Sequence, residues 1–155
     1  MDIKTLDEGY ISAVVILGGK IGGKKAVSIE SPTFELPPFS IKDHKAIKLA
    51  KKYGVTNFTL SFMESSESIK RFKEICPDAK IYSKIESKKG LDNFLEIAKV
   101  SDGILIDRGD LSSQVPIEKI PFIQKFIVNK VRELGKEVFI ATNTLEQMAL
   151  NLKPN

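Results

Sequence analysis

Hydrophobic and polar positions follow two different rhythms along the chain, with the change near residue 39. Residues 10–17 are rich in β-branched side chains and lie between turn signals at residues 7–9 and 18–23, which predicts a strand. A second short strand is predicted at residues 26–29, so that the two would form an antiparallel hairpin. Prolines then favour an extended linker. We therefore expect a β-rich segment and linker over residues 1–38.

From Ser40 onward, apolar positions at helical spacing alternate with short strand-like runs. Helices are predicted over residues 40–53, 65–76, 88–100, 118–134 and 144–150, and strands over residues 57–62, 80–85, 103–106 and 137–142. Ser40 and Asp43 have the spacing of an N-terminal capping box, and Gly135 is expected to end the long helix. This alternation predicts a parallel sheet of βα units, either an open doubly wound sheet or part of a (β/α)8 barrel.

Charged residues gather where two of the predicted strands end. Lys84 and Glu86 stand two apart and therefore share a face of the first strand. About twenty residues later, the next strand runs into Asp107, Arg108 and Asp110. Because parallel α/β folds bind ligands at the carboxyl ends of their strands, this arrangement predicts a functional site.

Composition narrows the class of protein. The chain has 155 residues, with 42% hydrophobic and 28% charged residues, which is ordinary for a soluble globular protein. Its net charge of +4 is not concentrated in a basic stripe, so no nucleic-acid partner is expected. The single cysteine, Cys76, fits a reducing compartment. With no apolar run of membrane-spanning length and no signal-peptide pattern, we expect a cytoplasmic protein with no membrane partner.

Four motifs in the second part of the chain resemble those of the pyruvate kinase family. They are S-K-I-E at residues 83–86, S-D-G-I-L-I-D-R-G-D-L at 101–111, V-P-I-E-K-I at 115–120 and I-A-T-N-T-L-E-Q-M at 140–148. Upstream, G-G-K-I-G-G-K-K-A-V-S-I, L-P-P-F-S-I-K-D and L-S-F-M are similar to the end of that family's lid domain, its return into the barrel and its fourth barrel strand.

The resemblance implies an α/β fold, namely a partial (β/α)8 TIM-type barrel preceded by a small antiparallel β segment. About four parallel strands over residues 39–155 would correspond to barrel strands four to seven. The family's first three strands, its last barrel strand and its C-terminal domain are expected to have no counterpart. Residues of those early strands bind the family's monovalent cation, so its ligands would be absent from this chain. Whether this chain binds a nucleotide stays open.

The same resemblance implies roles for the charged residues. Glu86 and Asp110 would hold a divalent cation, Mg²⁺ or Mn²⁺, for which hard oxygen ligands are suited. Lys84 would be catalytic, neutralising charge between the enolate and the phosphoryl group. For Glu86 and Asp110, the alternative is a surface carboxylate pair that makes hydrogen bonds to turns. For Lys84, the alternative is a salt bridge with Glu86, which is compatible with a catalytic role.

Further positions are expected to contact the substrate. Thr142 matches a threonine near the enolate carbon, where it could help a water deliver a proton, although a helix cap is the alternative. Gly109 and Asp110 would offer backbone N–H groups to the substrate carboxylate at a helix start. Ser61 and Phe62 match positions that line the family's site, with core packing as the alternative for Phe62.

Some positions depart from the family pattern. Asp107 stands where the family usually has a small residue, so that an extra charge crowds the site, and Gln114 stands where an acidic residue is usual. Three further departures are Met63, Ser112 and Thr144. These changes affect the nucleotide half of the site more than the metal and enolate half.

The resemblance implies phosphoryl transfer between phosphoenolpyruvate and ADP, giving pyruvate and ATP in glycolysis, with the machinery incomplete in this chain. One alternative is a metal-dependent enzyme that enolises or cleaves pyruvate-like keto acids, and another is a non-catalytic binding or assembly remnant. Because part of a barrel would leave open sheet edges, we expect a homo-oligomer or a complementing chain.

Overall fold

The computed structural model describes residues 2–7, 9–16, 18–19 and 37–141. The chain divides into two compact units, Met1–Phe34 and Glu35–Asn155. The strand predicted at residues 26–29 and the helix predicted at residues 144–150 lie outside the described residues.

The first unit contains a two-stranded antiparallel hairpin, β1 (Asp2–Asp7) with β2 (Tyr10–Val14). Gly9, at φ 100°, takes the left-handed backbone of the tight turn that joins them. The strand predicted at residues 10–17 therefore exists but ends earlier. Its partner β1 was not predicted, because residues 2–7 do not keep a strict alternation of apolar and polar positions. In the structure, the pairing register of β1 and β2 shifts between Ile3 and Thr5.

The second unit is built of alternating helices and strands. Its elements are α1 (Ile41–Lys52), β3 (Asn57–Leu60), α2 (Ser66–Ile75), β4 (Lys80–Ile85), α3 (Lys88–Asp92), α4 (Phe94–Val100), β5 (Gly103–Asp107), α5 (Arg108–Leu111), a 3₁₀ turn (Ile117–Lys119), α6 (Ile120–Glu133) and β6 (Glu137–Ala141). The four strands form a parallel sheet in the order β3-β4-β5-β6, which confirms the predicted α/β architecture.

One face of this sheet is covered by helices, and it forms the core. Strand residues on that face are fully buried and apolar: Ile81, Ile85, Ile104 and Ile106. Helices α2, α4 and α6 pack in sequence along this face. The buried hydroxyl groups of Ser83 and Ser101 are hydrogen-bonded to each other at 2.8 Å, so each of these two hydroxyls has a partner.

The other face carries the alternate residues of the strands and is less buried. On β4 these are Lys80, Tyr82 and Lys84, and the burial of β4 alternates accordingly along its length. Lys84 therefore lies on the face that the core helices leave uncovered, at the carboxyl end of its strand.

Local sequence signals set most helix ends. The Ser40 hydroxyl accepts a hydrogen bond from the Asp43 amide while the Asp43 carboxylate accepts one from the Ser40 amide, which confirms the capping box. Gly135 has φ 68° and donates to the Arg132 carbonyl, and Lys136 donates to the Val131 carbonyl. This Schellman motif ends α6 at the predicted glycine.

One helical prediction was wrong in detail. The helix predicted over residues 88–100 is broken at Asn93, whose side-chain amide donates to the Glu64 carbonyl at 2.9 Å. The charged turn after β5 is a single helical turn, α5. Across the residues that the structure describes, no helix is long and apolar enough to cross a membrane.

Candidate functional site

The charged residues at the ends of β4 and β5 meet in space. In the register of the two strands, Lys84 pairs with Leu105 and Ile85 pairs with Ile106. Asp107, the last residue of β5, therefore lies beside the point where the chain leaves β4 for Glu86. The two strand ends place three charged side chains within contact distance.

Lys84 is held between two carboxylates. Its Nζ donates to Glu86 Oε1 at 2.5 Å and lies 3.2 Å from Asp107 Oδ2. The side chains of Glu86, Asp107 and Lys84 are 1%, 15% and 19% exposed. Because water screens such a pair little, these ion pairs are stronger than those on the open surface.

Glu86 is also bound through its second oxygen. The Phe62 amide donates to Glu86 Oε2 at 2.6 Å. Phe62 adopts φ 51°, the left-handed conformation that is uncommon for residues other than glycine. The hydrogen bond to a buried carboxylate and the bond from the Met63 amide to the Lys84 carbonyl, at 3.3 Å, hold this turn in place.

Phe62 is exposed. The residue keeps 53% of its accessible surface, so it does not pack in the core. The core-packing alternative for Phe62 is therefore wrong, and its backbone is the part that contacts the charged cluster.

Asp110 completes a group of three carboxylates. One carboxylate oxygen from each of Glu86, Asp107 and Asp110 lies within 4.8 Å of the others. Hard oxygen donors at this spacing suit Mg²⁺ or Mn²⁺, which commonly keep water or substrate oxygens in their remaining positions. By the chemistry of its donors, the cluster fits the divalent cation that the family resemblance implies.

The cluster shifts the pKa of both members of its shortest ion pair. Burial raises the pKa of the Glu86 carboxyl and outweighs the opposite effect of Lys84 and the Phe62 amide, while the nearby Asp110 adds to the rise. Burial by itself would lower the pKa of Lys84, but hydrogen bonds to Glu86 and Asp107 raise it above its ordinary value. Lys84 is therefore charged at neutral pH, and metal binding would favour the ionised form of Glu86.

A second layer of contacts fixes the turn that carries Phe62. The Ser87 hydroxyl donates to Glu64 Oε1 at 2.8 Å, and Lys89 Nζ lies 3.5 Å from Glu64 Oε2. Gly90 packs so closely that a Cβ there would lie 2.7 Å from the Met63 carbonyl oxygen. The β3–α2 connection is thus fastened to α3, beside Glu86.

The predicted site residues differ in where the structure places them. Lys84, Glu86 and Asp110 belong to the cluster. Gly109 and Ser61 are exposed, with Gly109 in the four-residue helix α5 and Ser61 just beyond β3. Thr142 lies outside the described residues.

The sequence placed Asp107 in the charged cluster at the strand ends but gave it no role there beyond an extra charge. In the structure it contacts Lys84 and belongs to the carboxylate group. The available signal was its position one residue beyond the apolar run of β5, which matches the position of Glu86 beyond β4. The Phe62 amide left no sequence signal, because backbone donors are not encoded by residue type.

Comparison with known proteins identifies the relatives of this chain. The family model described as the barrel domain of pyruvate kinase matches residues 1–155. The chain is 36% identical to pyruvate kinase of Lactobacillus delbrueckii subsp. bulgaricus over 141 residues, which cover 88% of this chain and 24% of that protein. It is 38% identical to pyruvate kinase of Clostridium perfringens over 145 residues, covering 90% of this chain and 31% of that protein.

A eukaryotic relative gives the same result. Pyruvate kinase of Dictyostelium discoideum is 38% identical over 152 residues, covering 96% of this chain and 30% of that protein. The chain thus spans about a quarter to a third of the length of these relatives. Together with the parallel sheet and the antiparallel hairpin, the match confirms a partial (β/α)8 barrel fold. This chain belongs to the pyruvate kinase family.

Proposed function

We propose that this chain supplies the metal and enolate half of a pyruvate kinase-type site, for phosphoryl transfer between phosphoenolpyruvate and ADP in glycolysis. The observation that carries the proposal is the Lys84 ammonium group, held beside Glu86 and within the same cluster as Asp110. A fixed cation next to a set of hard oxygen ligands is what the transfer of a highly charged group requires.

Glu86 and Asp110 would hold Mg²⁺ or Mn²⁺. When bound, the ion supplies positive charge to the oxygens of the substrate. The bond from the Phe62 amide to Glu86 fixes that carboxylate, so its orientation would not depend on the ion. The rest of the proposed chemistry belongs to the side chains and backbone of the chain.

Lys84 would stabilise the charge that develops during transfer. The bond between the enol oxygen and phosphorus breaks, and an oxygen of the terminal phosphate of ADP forms the new bond to phosphorus. Negative charge then remains on the enol oxygen, where the Lys84 ammonium group would offset it. The enolate takes up a proton at its methylene carbon to give pyruvate.

Other residues would position the substrate and the proton. We assign proton delivery through water to Thr142, which follows Ala141 in the chain, and Ala141 pairs with Asp107 in the sheet. The backbone amides of Gly109 and Asp110, together with Ser61, would contact the substrate. Because α5 has only four residues, its helix dipole would add little to carboxylate binding.

The proposal includes a cytoplasmic location, where glycolysis takes place. It also includes association with a second copy of this chain or with a complementing chain. Among the described residues, strands β3 and β6 each have a neighbour on one side only, so their outer edges could pair with another chain. The comparisons do not favour the keto-acid cleavage or non-catalytic alternatives.

Binding of Mn²⁺, followed by electron paramagnetic resonance of the free ion, tests the metal assignment. The wild-type chain should bind one Mn²⁺, and Glu86→Gln should weaken binding by at least about tenfold because a buried ligand loses its charge. Glu96→Gln, the same change on an exposed helix position, should leave binding unchanged. Equal affinity in wild type and Glu86→Gln would contradict the assignment.

A further inference from the structure

We propose that Asp107 determines the ligand selectivity of this site, lowering its affinity for phosphoenolpyruvate relative to pyruvate by binding the Lys84 ammonium group. The inference rests on the proposed function and concerns the same site. It assigns to Asp107 a task beyond the metal and catalytic roles proposed for its neighbours.

The first support is that carboxylates already contact the Lys84 ammonium group on two sides. An ammonium group has three donors, and in Lys84 one is directed to Glu86 Oε1 at 2.5 Å and a second faces Asp107 Oδ2 at 3.2 Å. An incoming anion must therefore compete with two carboxylates for one cation. Both Asp107 and Lys84 are less than one-fifth exposed, so solvent screens this competition only weakly.

The second support is the balance of charge. One oxygen from each of three carboxylates lies within 4.8 Å of the others, and a single ammonium group contacts two of the three. With every carboxylate ionised, these four side chains would carry two negative charges in excess. A bound divalent cation would bring this cluster to neutrality, with no positive charge left over for a polyanion. Without the charge of Asp107, the same cluster would carry one positive charge in excess.

The charge of Asp107 should affect the binding of phosphoenolpyruvate more than the binding of pyruvate. Both carry a carboxylate, but the phosphate adds about two negative charges near neutral pH. Removing a unit charge a few ångströms from the phosphate should therefore change affinity by at least about tenfold in a partly buried site. Asp107 should therefore weaken binding of the phosphorylated ligand more than binding of the keto acid.

Asp107→Asn separates this role from a purely structural one. The amide keeps the size of the side chain and can still accept a hydrogen bond from Lys84, but it carries no charge. A structural role would change both affinities in parallel, whereas a charge-based role changes their ratio. Asp92→Asn, on the exposed side of α3, is the matched control.

The experiment is a calorimetric titration of the 155-residue chain, saturated with Mn²⁺, with pyruvate and separately with phosphoenolpyruvate. We expect Asp107→Asn to bind phosphoenolpyruvate about tenfold more tightly, with a change for pyruvate of about threefold or less. Asp107→Ala should move the ratio in the same direction. Asp92→Asn should match the wild type.

The possible outcomes separate the two proposals. An unchanged ratio of affinities, or a parallel loss for both ligands in Asp107→Asn and Asp107→Ala, would overturn the role of Asp107 while leaving the metal site intact. Failure of the wild-type chain to bind Mn²⁺ would overturn the proposed function and this inference with it.

Discussion

At the scale of single residues, the site depends on how buried charges are paired. Glu86 is almost fully buried, yet each of its oxygens has a donor, from Lys84 or from the Phe62 amide. Removing one partner of such a group costs more than the pair contributes, because the remaining charge loses both water and its counter-ion. The roles of these residues stay predictions, but their contacts explain how the chain tolerates the charges.

Residue identity predicted part of this arrangement and not the rest. The two-residue spacing of Lys84 and Glu86 was enough to predict that they share a face. That Asp107 reaches Lys84 depends on the register of β4 and β5, which no local pattern specifies. The left-handed backbone of Phe62 could not be predicted, because an aromatic residue rarely adopts it.

A second cluster, at the amino ends of the strands, allows a test of pH dependence. The Tyr82 hydroxyl donates to Glu137 Oε2 at 2.6 Å, and Lys80 Nζ lies 2.9 Å from the same oxygen. These contacts, Tyr82 first, lower the pKa of Glu137. The stability they contribute is therefore present above the ordinary pKa of a glutamate and is lost as pH falls through the lowered value.

Tyr82→Phe should raise the pKa of Glu137 toward its ordinary value, because the variant removes its main hydrogen-bond donor. Carboxyl ¹³C chemical shifts recorded during an acid titration would measure the change. Tyr53→Phe removes the hydroxyl of an exposed tyrosine and serves as the control. A Glu137 pKa that is the same in wild type and Tyr82→Phe would show that Lys80 alone is responsible.

At the scale of elements, local signals predicted where most helices and strands lie, and tertiary contacts changed some boundaries. The apolar spacing of residues 88–100 continues across Asn93, so the sequence predicted one helix. The bond from Asn93 to the Glu64 carbonyl divides it into α3 and α4. The domain boundary placed after residue 38 stays a prediction.

The short helix α3 supports the site through its close packing. Gly90→Ala should destabilise the fold by about 1–3 kcal/mol, because the added methyl would lie 2.7 Å from the Met63 carbonyl oxygen, a backbone atom. This loss opposes the gain of up to about 1 kcal/mol that alanine brings in a helix. Urea unfolding followed by circular dichroism measures the result.

The control for this variant is Lys88→Ala, an exposed change in the same helix. It should alter stability by about 0.5 kcal/mol or less. If Gly90→Ala proved as stable as the wild type, α3 and the β3–α2 connection would not be in the tight contact described here.

At the scale of the whole molecule, the family motifs predicted the type of fold, which the periodicity of the sequence could not. Alternating helices and strands fit both an open doubly wound sheet and a barrel, and only the motifs selected the barrel. The family match over residues 1–155 confirms that choice. The chain nevertheless spans about a quarter to a third of its relatives, so assembly and activity remain proposals.

We expect the chain to associate, because its described sheet has two outer strands that could each pair with another chain. Size-exclusion chromatography with light scattering should give a mass of at least twice 17.2 kDa, rising or holding steady with concentration. A well-folded, monodisperse species at the mass of a single chain would contradict this expectation.

The most direct test of the central claim is proton–deuterium exchange at the methyl group of pyruvate, followed by NMR with Mg²⁺ or Mn²⁺. This half-reaction needs the cation, Lys84 and a proton carrier but no nucleotide. The wild-type chain should show metal-dependent exchange, and Glu86→Gln should slow it by at least about a hundredfold, while Glu118→Gln, an exposed control, should not. Absence of exchange in a wild-type chain that binds neither metal nor pyruvate would contradict the account.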